Sequence, residues 1–406
     1  MRIMVALENR FLKTTSGNIY STTICDYKFF SRYLKAFDEV IVFARVSEVR
    51  GGDLDKLPAS GPNVSFYSLP TFIGPWQFLR YYPRLASLSK DAITQADVFM
   101  LRVPSAVATL LWRCLKKRRV PYSVEVVGDS WDAFAPGTTT SIVRPFVRKI
   151  MSDILAAQCR LAATASYVTE YSLQKRYSPG CWSTHYSSIE LPADAIIDEQ
   201  RMKVRLERIR AKAQSGESWR IAFVGSLWHL GKAPHILMAA VAGCLKKGFK
   251  LELDIAGGGS RMAQLQKMAQ DLGIADHVNF LGQVNAGKQL LDVMDRADLY
   301  VLPSRSEGLP RSVIEAMARG LPCISSTVAG NIELLNEEFL VPPGDTKALV
   351  SRIEAVISNP KRMEEMAQRN LQVAKKYCAE ELNRRRTEHY KRLREITEAR
   401  LSSKVM

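Results

Sequence analysis

Short apolar segments alternate with segments that have the pattern of amphipathic helices, and the alternation recurs in both halves of the chain. Short apolar runs suit strands that are buried on both faces, as in parallel sheets covered by helices on each side. The predicted strands are residues 2–7, 40–44, 64–69, 98–102, 122–127, 220–224, 251–255, 278–281, 299–302 and 322–325. The alternation therefore predicts an α/β protein with doubly wound parallel sheets.

The pattern breaks between residues 196 and 217, where the sequence is strongly charged and lacks an apolar run. A chain of 406 residues also exceeds the usual size of a domain with one core. We predict two Rossmann-like domains that face a cleft, over residues 1–195 and 218–375, joined by a charged linker region over 196–217. Residues 376–406 are expected to form a basic helix that packs back on the first domain.

The net charge of +16 predicts attraction to anions. Basic residues cluster over 113–119, over 144–149 and over 384–394. Each cluster suits either a solvated helix surface or contact with an anionic membrane. Binding to nucleic acid is suggested by charge alone, because no interleaved aromatic residues or recognisable module accompany the charges, and we expect no nucleic-acid partner.

Cysteine and histidine usage argues against a disulfide framework and against a zinc site. The seven cysteines are scattered and odd in number, and none of the five histidines stands in metal-ligand spacing. Residues 1–8 reach an acidic residue early and indicate a first strand rather than a signal peptide. We expect a cytoplasmic protein, either free or peripheral on the inner face of the membrane.

Two glutamates follow the predicted strand 299–302. Glu307 lies in a loop at the start of a predicted helix, where free backbone N–H groups and the helix dipole favour anionic ligands. Glu315 lies further along the same helix. The amides of Gly308 and Leu309 can donate to phosphate oxygens, whereas Pro310 has no N–H group. A phosphate site that is flanked by carboxylates, which accept hydrogen bonds from hydroxyl groups, is the arrangement that binding of a nucleotide sugar needs.

A second loop follows the predicted strand 220–224 and ends at Lys232. Departure of a phosphate builds negative charge, and Lys232 can meet this charge as a compact cation. The run of glycines at 257–259 lacks the later glycine and the acidic residue of a dinucleotide fingerprint. We expect these glycines to let the backbone approach the cleft.

A series of motifs runs through residues 219–358: Gly225-Ser226-Leu227 with Lys232, Gly257-Gly258-Gly259, Gly282, Glu307-Gly308-Leu309-Pro310, Glu315 with Gly320 and Pro322, Gly330 with Glu333, and Gly344-Asp345. In order and spacing these motifs resemble the donor half of glycosyltransferase family 4. The resemblance implies a GT-B fold and retaining transfer of a hexose or N-acetylhexosamine from a nucleotide diphosphate sugar, without a metal or another cofactor.

The resemblance also implies roles for single residues. Glu307 would bind the transferred sugar, Glu315 the ribose, and Lys232 the phosphates. The other donor-binding residues would be Gly17, Gly225, Ser226, Gln283, Val284, Gly308, Leu309 and Arg311, with Gln283 and Val284 beside the base. Enzymes of this kind usually carry an arginine where this chain has Ser226, so Arg305 or Arg311 would have to supply a second cation.

The first domain is expected to bind the acceptor. Gly17, with Asn18 beside it, matches the glycine loop of the family, and the alternative is an ordinary turn from strand to helix. Asp129 stands where many relatives have a histidine. It would orient the acceptor hydroxyl or stabilise the transition state, and the alternative is a structural turn aspartate. Trp131 and Asp132 would contact the acceptor sugar.

These observations predict a retaining glycosyltransferase that acts on a glycan or a lipid-linked acceptor, with an anionic membrane surface as a further partner. The substitutions at Ser226 and Gly128 leave a second hypothesis open. In that hypothesis the chain is a catalytically idle sensor or scaffold that binds nucleotide sugars.

Overall fold

The computed structural model describes residues 1–23, 25–50, 54, 56–136, 143–189 and 191–403. The chain forms two compact units, each with its own sheet. The first unit contains residues 1–128, 150–186 and 383–406, and the second contains residues 129–149 and 187–382. The C-terminal residues thus group with the first unit, and residues 129–149 group with the second.

The first sheet has eight strands. They are β1 Arg2–Lys13, β2 Ile19–Ser21, β3 Glu39–Glu48, β4 Val64–Leu69, β5 Val98–Val103, β6 Ser123–Val126, β7 Thr164–Tyr167 and β8 Ser183–His185. The order is β4-β3-β1-β5-β6-β7-β8, all parallel, and β2 pairs antiparallel with β1.

The second sheet has six parallel strands. They are β9 Trp219–Val224, β10 Leu251–Ala256, β11 Val278–Gly282, β12 Leu299–Leu302, β13 Cys323–Ser326 and β14 Leu340–Val341. Their order is β11-β10-β9-β12-β13-β14. The chain leaves β9 towards one edge of the sheet and returns to the other side at β12. Ligands of open α/β sheets bind beyond the carboxyl ends of strands at such a switch point.

Helices connect the strands. They are α1 Tyr27–Ser31, α2 Gly74–Ala92, α3 Ala106–Arg118, α4 Ser130–Ala133, α5 Arg144–Leu161, α6 Ser172–Arg176, α7 Glu199–Ser215, α8 Pro234–Lys246, α9 Met262–Asp271, α10 Lys288–Arg296, α11 Arg311–Ala318, α12 Asn331–Leu334, α13 Thr346–Ile357, α14 Pro360–Lys375 and α15 Ala379–Ser402. The faces of both sheets are apolar and buried, so each unit has a core of its own.

The segment predicted as a charged linker region is mostly helical. Residues 199–215 form α7, which belongs to the second unit. Arg205 is 8% exposed, and its Nη1 donates to the carbonyl oxygen of Ala297 at 2.9 Å. Lys212 Nζ donates to Asp298 Oδ2 at 2.7 Å. The segment looked like a linker because the few apolar residues that α7 buries, such as Met202 and Ile209, are dispersed among many charged ones.

A buried carboxylate fastens α15 to the first sheet. Glu125 in β6 accepts hydrogen bonds from the hydroxyl groups of Tyr33, Tyr186 and Tyr390 at 3.0, 3.0 and 3.2 Å. Arg102 forms an ion pair with the same carboxylate. Burial alone would raise the pKa of Glu125, but chiefly Arg102 holds it below its usual value. His389, the residue before Tyr390 in α15, also contacts the first sheet. Its Nε2 and Ser123 Oγ share a hydrogen bond of 2.8 Å.

Candidate active site

Lys232 and Glu307 meet at the switch point of the second sheet. Lys232 ends the loop after β9 (residues 225–233, the β9 loop), and Glu307 lies in the loop after β12 (residues 303–310, the β12 loop). Lys232 Nζ donates to both carboxylate oxygens of Glu307 at 2.7 Å. The lysine side chain is 32% exposed and the glutamate side chain 6% exposed. A solvent-accessible cation is therefore positioned by a buried carboxylate.

The backbone holds these two loops together. The N–H group of Arg305 donates to the carbonyl oxygen of Gly231 at 2.7 Å, which ties the β12 loop to the β9 loop. On the far side of the β12 loop, the N–H group of Gly330 donates to the carbonyl oxygen of Gly308 at 2.8 Å. A side chain at Gly330 would clash, because its Cβ would lie 2.5 Å from that same oxygen. Close backbone contacts thus fix the position of Glu307.

The glycines at 257–259 serve contact between loops. A Cβ at Gly257 would lie 1.9 Å from the carbonyl oxygen of Gly225, and a Cβ at Gly259 would lie 2.2 Å from the carbonyl carbon of Leu227. Backbone hydrogen bonds join the same segments, from Gly225 to Ala256 at 3.0 Å and from Leu227 to Gly258 at 3.0 Å. The glycine run therefore permits the loops after β9 and β10 to lie against each other. An approach of this backbone to a ligand stays a prediction.

Glu315 lies in α11, half-buried. Burial raises its pKa to about 7, although Arg311 one turn earlier lowers it. Arg311 is exposed at the first position of α11. A carboxyl group with such a pKa exchanges its proton near neutral pH, so its capacity to accept hydrogen bonds from hydroxyl groups depends on the pH.

Gln283 and Val284 directly follow β11, so they lie at the carboxyl ends of the strands, as the β9 and β12 loops do. Gln283 Oε1 lies against Gly258, where a Cβ would approach it to 2.8 Å. Its Nε2 donates weakly to the carbonyl oxygen of Val284 at 3.4 Å. Gln283 thus adjoins the glycine loop after β10. The expected contact of Gln283 and Val284 with a base stays a prediction.

Ser226 shapes its own loop. Its Oγ accepts a hydrogen bond from the N–H group of Trp228 at 3.4 Å, and the Trp228 side chain is 61% exposed. Arg305, one of the two residues considered as a replacement for the missing cation, has another partner: its Nη1 donates to the carbonyl oxygen of Pro136 at 3.2 Å. A phosphate-binding role for Arg305 or for Arg311 stays a prediction.

Asp129 is 5% exposed and caps a short helix. Its Oδ1 accepts from the N–H groups of Trp131 at 2.8 Å and of Asp132 at 3.4 Å, at the start of α4. Trp131 is 37% exposed, and the guanidinium of Arg148 lies 3.9 Å from the centre of its ring. The structural role that was held open for Asp129 is thus present, and a role towards the acceptor stays a prediction.

Gly17 and Asn18 lie in the first unit, in the turn of a β-hairpin between β1 and β2. The N–H group of Gly17 donates to the carbonyl oxygen of Thr14 at 3.0 Å, and Gly17 has a φ of +88°. The alternative that was held open, an ordinary turn from strand to helix, is wrong, because β1 continues to Lys13 and β2 precedes α1. A positive φ favours glycine at this turn. The expected contacts of Gly17 and Asn18 with ligands stay predictions.

Sequence reasoning missed Tyr300, a residue of β12 that is influenced electrostatically by the two glutamates. Tyr300 is fully buried in β12, and its hydroxyl group donates to the carbonyl oxygen of Val224 at 3.3 Å. Burial raises its pKa well above the usual value, and both Glu307 and Glu315 add to the increase. The signal for it was a single hydroxyl group within an otherwise apolar strand.

Neither a metal-binding cluster nor a membrane-spanning helix occurs in the described residues. No group of three or more histidine, cysteine, aspartate or glutamate residues is arranged to hold a metal ion. Nor does any helix in the described ranges combine the length and the apolar character that a membrane span requires.

Comparison with known proteins gives matches in sequence and in structure. Residues 205–373 match the family model for glycosyl transferases group 1. The chain is 25% identical over 348 residues to Protein CapJ of Staphylococcus aureus, which covers 86% of this chain and 84% of that protein. Sucrose-phosphate synthase from Thermosynechococcus elongatus superposes with a TM-score of 0.70 at 15% identity, over 97% of this chain and 99% of that chain.

A further structural match is HepE of Anabaena in complex with UDP and glucose. It has a TM-score of 0.62 at 16% identity and covers 95% of this chain and 97% of that chain. The predicted fold, a GT-B architecture of two α/β units with parallel sheets, is confirmed. The family match and the relatives support a glycosyltransferase.

Proposed function

We propose that this glycosyltransferase of the GT-B fold moves a hexose or N-acetylhexosamine from a nucleotide diphosphate sugar to a glycan or lipid-linked acceptor in glycoconjugate biosynthesis. The observation that carries the proposal is the pairing of Lys232 with Glu307 at the switch point between β9 and β12. This pair places a cation for a phosphate beside an acceptor for sugar hydroxyl groups. The structural likeness to HepE, solved with UDP and glucose, supports a nucleotide sugar as donor.

In the proposed reaction the bond between the anomeric carbon and the diphosphate breaks, and negative charge develops on the departing phosphate. Lys232 and the amides of Gly308 and Leu309 stabilise this charge. Glu307 accepts hydrogen bonds from the transferred sugar, and Glu315 accepts them from the ribose. The acceptor hydroxyl oxygen bonds to the anomeric carbon from the face that the phosphate leaves, and its proton passes to an oxygen of the departing diphosphate. The anomeric configuration is therefore retained.

Fixed cations and amides are sufficient in this proposal to neutralise the phosphate, and we propose that the reaction uses no metal ion and no other cofactor. Gly17 would lie under the phosphates, and Asp129 with Trp131 and Asp132 would bind the acceptor. We also propose that the protein works in the cytoplasm and attaches peripherally to an anionic membrane, where a lipid-linked acceptor would be available.

A second candidate function is a sensor that binds nucleotide sugars without turning them over. Ser226 favours this candidate, because its hydroxyl group carries no charge to stabilise a phosphate and accepts a hydrogen bond from Trp228. The capping bonds of Asp129 favour it as well, because they already use a carboxylate oxygen. Both observations concern residues at which the resembling enzymes carry functional side chains.

A screen of nucleotide sugars separates the two candidates. Thermal unfolding identifies the donor, because a ligand that binds only the folded state raises the midpoint. Release of the nucleoside diphosphate is then followed with and without acceptor extracts. An enzyme hydrolyses its donor slowly and faster with acceptor, whereas a sensor is stabilised by the donor and releases nothing. Absence of stabilisation by every nucleotide sugar would contradict both candidates.

A further inference from the structure

Helix α2 begins with a cluster of exposed apolar side chains. Ile73, Trp76 and Leu79 are 64, 83 and 59% exposed. They lie within two turns of each other, on the side of the helix that faces solvent. An exposed tryptophan beside two exposed aliphatic side chains is uncommon on a surface that contacts only water, and it marks a docking surface.

The start of α2 is held in place, so the exposure of this apolar cluster is built into the fold. Phe72 is 4% exposed and accepts a hydrogen bond at its carbonyl oxygen from Arg45 Nη1 at 2.9 Å. The Arg45 guanidinium also lies 4.6 Å from the centre of the Phe72 ring. Phe78 packs edge-on against Phe72, with ring centres 5.2 Å apart. Phe72 and Phe78 thus turn inward and leave Ile73, Trp76 and Leu79 outside.

A basic groove runs between α2 and α3 on the same unit. The volume of the groove is ≈ 560 Å³. Four cations line it, Lys90, Arg113, Lys117 and Arg118, and no carboxylate belongs to the described residues of its lining. Arg113 Nη1 donates to the hydroxyl group of Tyr82 at 3.0 Å, which joins the two helices across the groove. The groove is therefore suited to an anion.

We infer that the surface formed by the start of α2 and by the α2–α3 groove docks on an anionic lipid bilayer. Trp76 and its two neighbours enter the interfacial region, where tryptophan is favoured, and the four cations of the groove bind lipid phosphates. Charge complementarity selects a membrane with negative headgroups, because the groove holds cations without a compensating acid. The inference deepens the proposed membrane attachment and does not depend on the proposed transfer reaction.

Both halves of the surface contribute to binding in this account. A single apolar anchor gives weak and reversible attachment, and stable attachment needs a second signal such as a basic patch. Each lysine or arginine near an anionic surface increases the binding constant about fivefold. Reversing three of the four charges is therefore expected to reduce binding more than about a hundredfold.

Sedimentation with vesicles tests the inference on the full chain. One set of vesicles contains phosphatidylcholine alone, and the other contains phosphatidylcholine mixed with phosphatidylglycerol. The apolar variant is Ile73→Ser/Trp76→Ser/Leu79→Ser, and the charge variant is Arg113→Glu/Lys117→Glu/Arg118→Glu. The controls on the second unit are Val204→Ser, which replaces an apolar side chain that is 54% exposed, and Lys267→Glu/Lys347→Glu, which reverses two exposed charges.

We expect the unmodified protein and both controls to sediment with the mixed vesicles and to stay in solution with phosphatidylcholine alone. The apolar variant should bind at least tenfold more weakly, and the charge variant should not bind. Binding that is unchanged in either variant, or equal binding to both kinds of vesicle, would overturn the inference. Capture of a protein or of RNA by the same surface without vesicle binding would also overturn it.

Two further measurements exclude misfolding and loss of donor hydrolysis as causes of weaker vesicle binding. Circular dichroism and thermal unfolding establish that each variant is folded before it is compared. Release of nucleoside diphosphate from the soluble donor should be the same in all variants, because none of the changed residues belongs to the proposed donor site. Loss of vesicle binding with unchanged donor hydrolysis thus separates this inference from the proposed function.

Discussion

Lys232 Nζ lies 2.7 Å from each carboxylate oxygen of Glu307, so the two residues proposed for the chemistry are paired with each other. The side chain of Glu307 is 6% exposed, and that of Lys232 is 32% exposed. In the proposed reaction a donor phosphate therefore reaches the exposed lysine and competes with the glutamate for its hydrogen bonds. The pair holds Lys232 in position before the donor arrives, which reduces the cost of ordering a long side chain.

Glu307→Gln tests this competition. The variant releases Lys232 from its ionic partner, so we expect the nucleoside diphosphate to bind at least as tightly as it binds the unmodified protein. Transfer of the sugar should nevertheless fall about tenfold to a hundredfold, because the contact with the sugar is weakened. Calorimetric titration and steady-state rates measure the two effects separately.

The control for Glu307→Gln is Glu338→Gln, which removes a carboxylate from another ion pair of the second unit, with Arg362. We expect this control to change neither quantity. Equal losses of nucleoside diphosphate binding and of transfer in Glu307→Gln would contradict separate roles for the carboxylate and the lysine.

Glu315 should make the stability of the second unit depend on pH. Burial raises its pKa from 4.5 to about 7. Between these values the folded protein holds a proton that the unfolded chain has lost, so the free energy of unfolding falls as the pH rises. The full effect is about 3 kcal/mol at most. Glu315→Gln should remove this fall, whereas Glu337→Gln, at an exposed site, should keep it. Denaturant midpoints at pH 5 and pH 8 measure the difference.

Donor binding should release a proton from Glu315 near neutral pH. Hydrogen bonds from the ribose hydroxyl groups favour the ionised carboxylate, so binding and ionisation are linked. We expect the affinity for the donor to rise with pH up to about pH 7 and to level off above it. Titrations in buffers of different ionisation enthalpy count the protons. An affinity that is independent of pH in this range would separate Glu315 from the ribose.

Asp129 can be separated from its capping role by choice of substitution. Asparagine caps helices as well as aspartate does, whereas alanine loses about 1 kcal/mol. We expect Asp129→Asn to keep the stability of the protein and to lower turnover with acceptor at least about tenfold if the charge acts on the acceptor hydroxyl. Slow hydrolysis of the donor serves as an internal control. Turnover at the unmodified rate would return Asp129 to a capping role alone.

Glu125 is predicted to be essential for the stability of the first unit. Glu125→Gln leaves Arg102, whose side chain is 12% exposed, without its carboxylate. Breaking a buried pair in this way costs about 3–5 kcal/mol. Because Tyr390 of α15 also bonds to Glu125, hydrogen exchange in α15 should accelerate with the loss of stability. Glu39→Gln, at an exposed end of β3, should change neither measurement.

Much of the fold could be predicted because strand signals are local. The apolar runs at 220–224 and 299–302 correspond to β9 and β12. The local patterns gave wrong bounds for elements that contain polar residues. Strand β1 continues through Glu8 and Arg10 to Lys13, past an irregularity in its pairing with β3. Its polar second half looked like a loop and concealed the hairpin that carries Gly17.

The candidate site could be predicted only in part. The types and spacing of Lys232, Glu307 and Glu315 predicted a phosphate and sugar site, because each residue stands beside or within a predicted strand or helix. Their pairing could not be predicted, since it depends on β9 and β12 being neighbours in the sheet. The clash that forbids a side chain at Gly257 likewise depends on a loop distant in sequence. Such contacts follow from the order of strands rather than from local pattern.

The rate at which nucleoside diphosphate is released from the donor, in the presence of acceptor, tests the proposed chemistry most directly. It should be measured at saturating donor for the unmodified protein and for Lys232→Met, with Lys267→Met as the control on an exposed helix surface. The account predicts a fall of at least about a hundredfold for Lys232→Met and no change for the control. Equal rates in all three proteins would contradict the assignment of Lys232 to the departing phosphate and, with it, the proposed site.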